Sequence, residues 1–155
     1  MSHFDIMKNL YICLLIFVTI SISSCKKGFP DDPLAVDNYT VSNCKTKGSN
    51  APADDAEFIT IKTVDDYYLL FNHVNSVFNC EPGELTVAIE IRADTISINE
   101  NETMGSANCV CPYDLEFRLG PMHYGKYITV FKKGGLELKT YSLNFRKSTD
   151  VRINL

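Results

Sequence analysis

From Cys109 to Leu119 the chain alternates. Cys111, Tyr113, Leu115, Phe117 and Leu119 share one parity, and Asp114, Glu116 and Arg118 share the other. Side chains two apart in an extended chain point to the same face, so this run buries one face and wets the other. A chain built around it has to make a sheet with one covered side. Other segments repeat the pattern. Glu57–Thr63 turns Ile59 and Ile61 inward; Leu85, Val87, Ile89 and Ile91 alternate with Thr86, Ala88 and Glu90; Thr95–Asn99 turns in Ile96 and Ile98; Lys126–Lys132 follows. Leu136–Lys147 changes phase from Leu136/Leu138 to Tyr141/Leu143/Phe145, which predicts a β-bulge near Lys139–Thr140. Tyr67–Asn79 is ambiguous. Leu70, Phe71, Val74, Val77 and Phe78 fit a helical stripe, but Asn72, Asn75, Ser76 and Asn79 are weak helix formers, and strand is the expectation. Turn chemistry separates the segments at Asp65-Asp66, Glu81-Pro82-Gly83, Arg92-Ala93-Asp94 and Gly134-Gly135. Glu100–Asn108 reads as a polar loop.

The expected fold is therefore all-β: an immunoglobulin-like antiparallel β-sandwich of about seven strands over residues 57–155. Tyr127 opens the sixth strand, where such sandwiches place a tyrosine corner, although an ordinary strand tyrosine fits equally well. Residues 25–56 are rich in Pro, Gly, Asp and Asn, with no apolar period, and read as a flexible tether.

The N-terminus has a different character. Leu10–Ile22 is an uncharged apolar run, well short of the roughly 20 residues that cross a bilayer. Residues 1–24 read as a signal peptide, and Ile22-Ser23-Ser24-Cys25 resembles the bacterial lipobox. The resemblance implies cleavage before Cys25 and fatty acylation, palmitate-type chains included, of that cysteine. Stable anchoring needs at least two chains. Lys26, in place of an Asp, leans toward the outer membrane. Asp5 and His3 are out of place in a signal's basic start; translation from Met7 puts Lys8 there with no acid.

Four cysteines remain in the mature chain: Cys44, Cys80, Cys109 and Cys111. In an exported domain they suggest two disulfides, with three connectivities open. Zinc is the rival reading, but only Cys109 and Cys111 are close, and His73 and His123 lie far from them in sequence. In a seven-strand sandwich the second and fifth strands are antiparallel neighbours, which brings Cys80 beside Cys109 and Cys111. The expected pairs are Cys80–Cys109 and Cys44–Cys111, with the swapped pairing close behind.

Charge is uneven. Residues 25–116 carry 6 Lys+Arg against 16 Asp+Glu, whereas 117–155 carry 8 against 2. A basic face for an anionic glycan or headgroup is one reading; acidic and basic strands meeting within one sheet is the favoured one. No nucleic-acid partner is expected.

The runs Phe78-Asn79-Cys80, Asp94-Thr95-Ile96-Ser97-Ile98, Cys109-Val110-Cys111-Pro112-Tyr113-Asp114-Leu115-Glu116-Phe117 and Gly125-Lys126-Tyr127 together resemble a group of small lipoproteins of Bacteroidetes. The resemblance spans about residues 69–131, and C-x-C-x-Y-D-L-x-F is its most specific element. It implies a β-sandwich and an envelope address, and no assigned activity. Asp94-Thr95-Ile96 also resembles the O-glycosylation site of Bacteroidetes envelope proteins, making Thr95 a candidate; a turn residue entering a strand explains it as well.

No nucleophile-elbow, zinc-hydrolase or phosphate-loop pattern occurs. His73 could serve as a general base, but a hydrogen-bonded strand histidine is the commoner case. Asp54-Asp55, Asp65-Asp66 and Asn99–Glu102 read as solvated turns rather than metal sites. Neither a metal nor a cofactor is expected. The expectation is a non-catalytic binding or scaffold module held on a membrane, with a glycan or an envelope protein as partner. A small glycan-active hydrolase is the alternative.

Overall fold

The computed structural model describes residues 29–30, 33–45 and 56–155. Residues 1–24, expected to be a signal peptide, with Met7 among them, and Cys25, Lys26 and the Asp54-Asp55 pair lie outside them. Among the described residues nine strands form: β1 Ala35–Val41, β2 Phe58–Val64, β3 Tyr68–Asn79, β4 Leu85–Arg92, β5 Thr95–Glu102, β6 Val110–Gly120, β7 Gly125–Lys133, β8 Leu136–Phe145 and β9 Asp150–Asn154. They build a two-sheet sandwich. One sheet runs β1-β6-β3-β2-β9 and the other β4-β5-β7-β8.

All pairings are antiparallel except β5 with β7. The expected neighbours β3 and β6 do pair, Leu69 opposite Leu119 and Phe78 opposite Cys111. The fourth expected strand, β5, does not join them. It lies between β4 and β7 in the second sheet, and that placement produces the parallel pair.

Two strands beyond the expected seven are edge strands. β1 falls in the segment read as tether. All its residues but Asp37 are exposed, so no buried face marked it in the sequence. It pairs with β6, and its register breaks between Asp37 and Thr40, where Asn38 takes φ 51°. β9 is five residues long, with Ile153 buried opposite Ile59 of β2. Arg146–Thr149 carries the chain to it from β8, closed by hydrogen bonds from the Thr149 hydroxyl to the carbonyls of Asn144 and Arg146.

The alternating residues of each strand meet between the sheets. Ile59, Ile61, Leu69, Phe71, Phe117 and Leu119 from one sheet pack on Ile96, Ile98, Phe131, Leu143 and Phe145 from the other. Each such side chain contributes about 1.5–3 kcal/mol by leaving water. A second cluster, Phe78, Leu85, Cys111, Tyr113 and Leu115, fills the end of the sandwich near the cysteines.

Bulges account for the irregular sequence patterns. In β3 the register shifts between His73 and Ser76, and Asn75 sits at φ 61°, a region Asn tolerates better than most residues. Leu69, Phe71 and His73 are buried before the bulge, and Ser76 and Phe78 after it. The parity switch is what imitates a helical stripe. In β8, Leu138 is the extra residue, because Phe131 faces Lys139 while Lys132 faces Glu137. The bulge thus lies one position before the expected Lys139–Thr140. The Tyr127 hydroxyl donates to the carbonyl of His123 at 2.9 Å, the back-bond expected of a tyrosine corner.

Candidate functional site

Most inward positions are apolar, and one group of ionisable residues breaks that rule. His73 projects inward from β3 and is 2% exposed; Glu100 projects inward from β5 and is 3% exposed. His73 Nδ1 lies 2.8 Å and 2.9 Å from the two Glu100 carboxylate oxygens. Ser76, brought inward by the β3 bulge, donates its hydroxyl to Glu100 Oε2 at 3.2 Å. On the other side of the ring, His73 Nε2 is 3.0 Å from Glu57 Oε1. This contact falls off the N–H direction, since Nε2 makes no well-aligned hydrogen bond, so it is a charge contact. Lys133, at the end of β7, reaches the same Glu57 oxygen at 2.8 Å, and its ammonium lies 5.0 Å from the centre of the Phe78 ring.

The result is a chain Ser76–Glu100–His73–Glu57–Lys133 across the gap between the sheets. A carboxylate only accepts hydrogen bonds, and both ring nitrogens face one. That arrangement favours the imidazolium, in which both nitrogens carry a proton. Burial by itself pushes the His73 pKa down; the contacts to Glu100 and then Glu57 outweigh it, and the net shift is upward. Burial likewise raises Glu57, but His73 and Lys133 overcome it and hold its carboxyl at about 2. With His73 protonated the group carries two negative and two positive charges, the condition under which buried charges are tolerated.

His73 was legible in the sequence as a hydrogen-bonded strand residue, and that is how it sits. Glu100 was missed. The sequence reading ended the strand at Asn99 and placed Glu100 in a solvated loop; β5 continues to Glu102. The available signal was parity, since Ile96, Ile98 and Glu100 all face inward. Glu57 and Lys133 carry no local mark of their role.

The cysteines form the second notable cluster. Cys44 bonds Cys111 and Cys80 bonds Cys109, the expected pairs. The sulfurs of Cys44, Cys80 and Cys111 all lie within 4.8 Å of one another, spacing that would suit a metal. Being paired in disulfides, they offer no thiolate to one. The two bridges sit at one end of the sandwich, beside a shallow cleft of about 350 Å³ lined by Cys44, Cys80, Pro82, Glu84 and Tyr113. The Tyr113 hydroxyl reaches the carbonyls of Asn79 and Cys80. A second cleft of about 280 Å³ lies on the outer face of the β4–β5–β7 sheet, lined by Ala88, Glu90, Ser97, Asn99 and Lys132. The His73 group lines neither cleft.

Thr95 stands at the β4–β5 hairpin, half-buried, its hydroxyl 3.4 Å from the Asp94 carboxylate. Asp65 and Asp66 take left-handed backbone angles in the β2–β3 turn and pair with Arg118 and Lys147. Arg118 also grips both carboxylate oxygens of Asp37 at 2.7 Å and lies over the Tyr68 ring. The acidic strand β5, with Glu100 and Glu102, lies beside the basic strand β7, with Lys126, Lys132 and Lys133, in one sheet, and further charge pairs join Glu57 to Lys133 and Lys62 to Asp150.

No family model, curated protein or solved structure matches this chain. The functional reading therefore rests on its own residues.

Proposed function

We propose that this chain is a lipid-anchored protein of the bacterial cell envelope whose sandwich domain is a non-catalytic binding or scaffold module, with Lys26 favouring the outer membrane. The observation that carries the reading is the uncharged Leu10–Ile22 run followed directly by Ser23-Ser24-Cys25. Two disulfides in a domain of this size support an oxidising compartment. The non-catalytic part draws on the His73 group: its two carboxylates are turned inward on His73 and Lys133, which leaves neither aimed into the clefts described above. A glycosidase needs its two carboxyl groups across an open cleft from each other, with room for a sugar. The partner in this reading is a glycan or an envelope protein on the exposed faces. The resemblance to small Bacteroidetes lipoproteins, and Thr95 as an O-glycan acceptor, belong to the same proposal.

The test is metabolic labelling with a fatty acid in the native host. Label should appear on the protein, and Cys25→Ala should lose it and remain uncleaved. Label persisting in Cys25→Ala refutes the anchor. Hydrolysis of a polysaccharide by the purified protein, abolished by Glu57→Gln or Glu100→Gln without unfolding, refutes the non-catalytic reading.

A further inference from the structure

The end of the sandwich opposite the disulfides carries a connected set of rings. Phe29 stacks on His123 at 3.9 Å between centroids and meets Tyr67 edge-on at 5.2 Å. Tyr67 stacks on Tyr124 at 5.6 Å, and Tyr124 meets Phe145 edge-on at 5.0 Å. Phe145 is fully buried, whereas Phe29, His123 and Tyr124 are exposed, so the set runs from the core to the surface. It is held in place by backbone. The Tyr124 hydroxyl donates to the Asp66 carbonyl at 2.6 Å, the Tyr127 hydroxyl to that of His123, and the Met122 N–H to that of Tyr67 at 2.8 Å.

Rings with one apolar body and one polar tip favour the boundary between headgroups and acyl chains. The chain's own connectivity brings this end there. Phe29 is four residues from Cys25, and four extended residues span at most about 14 Å. Resting on the reading that Cys25 is acylated, we propose that the Phe29–Tyr67–His123–Tyr124 surface seats on the bilayer that holds the anchor. The sandwich then stands with its disulfide end outward. Asp65 and Asp66 beside the rings are matched by Arg118 and Lys147, so the rings rather than net charge supply this surface's attraction. Lys26 and Lys27 beside Cys25 add attraction to anionic headgroups, so the test uses neutral phosphatidylcholine.

The chain has no tryptophan, so one introduced tryptophan is a clean reporter. Full-length protein, acylated in cells and purified, is reconstituted into phosphatidylcholine vesicles with or without bromine on the acyl chains. Tyr124→Trp and His123→Trp report on the proposed surface. Met104→Trp, at a 97% exposed position of the opposite end, is the control. Bromine should remove about half or more of the fluorescence of the first two, as expected for side chains about 5–10 Å into the interface. It should leave Met104→Trp unchanged. Protein with acyl mass on Cys25 in which all three variants escape quenching, or in which only Met104→Trp is quenched, overturns the seating and leaves the anchor standing. Absence of acyl mass on Cys25 overturns both. Should Tyr124→Trp disturb the Asp66 contact, His123→Trp still decides the outcome.

Discussion

Replacing His73 by Leu should strip the buried group of the cation between its two carboxylates. Glu100, 3% exposed, would keep only the Ser76 hydroxyl, and Glu57 would keep Lys133. Breaking a buried charge pair by removing one partner costs about 3–5 kcal/mol, a large share of the roughly 5–15 kcal/mol that holds a domain together. The loss should depend on pH. The folded pKa of His73 is raised above its ordinary value of 6.5. A raised pKa means that the folded state holds the proton more tightly than the unfolded chain does. Its stabilisation is fully present below pH 6.5 and is lost as pH climbs through the folded value. Each unit of separation is about 1.4 kcal/mol. Urea unfolding of the wild type from pH 5 to pH 9, followed by circular dichroism, should show the midpoint falling on the alkaline side, and His73→Leu should remove that slope. The double variant His73→Leu/Glu100→Leu should recover part of the loss, because an apolar pair no longer strands a charge. A wild-type midpoint independent of pH above 6.5, or additive effects of the two substitutions, would refute the coupling. On the acid side the sign reverses. Glu57 is held at about 2 from an ordinary 4.5, so its contribution is present above pH 4.5 and disappears as pH falls toward 2.

Two further outcomes follow from the fold. The Cys44–Cys111 bridge closes 67 residues and Cys80–Cys109 closes 29. By chain entropy, removing them should cost about 4.4 and about 3.6 kcal/mol respectively; denaturant midpoints of the paired Cys→Ala variants check the order, and a larger loss from the shorter loop would contradict it. Arg118→Met removes the clamp on Asp37 and Asp65. Amide exchange should accelerate in β1 while the β3–β6 core stays protected, and uniform acceleration would show that Arg118 supports the whole sheet.

Alternation in Cys109–Leu119, Leu85–Ile91 and Thr95–Asn99 was enough to read extended strands, because side-chain parity is set by backbone geometry within a few residues. The turn chemistry at Asp65-Asp66 and Gly134-Gly135 is local in the same sense. The inferred β3–β6 pairing put Cys80 beside both Cys109 and Cys111 and left the swapped pairing open; the structure decides for Cys80–Cys109 and Cys44–Cys111. What the tertiary structure decided is choice of partner. Nothing in Thr95–Glu102 states which sheet it joins, since one buried face packs as well against either layer. Nothing in Ala35–Val41 announces β1, whose register is held by Arg118 and by backbone pairing with β6 rather than by a buried stripe. Glu100 is the sharpest case. An acid in a polar run is ordinarily solvated, and it becomes a core residue only because His73 and Ser76, more than twenty positions away in sequence, are carried to it by a different strand in the opposite sheet. Parity is a property of neighbours in the chain; neutralising a buried charge is a property of neighbours in space.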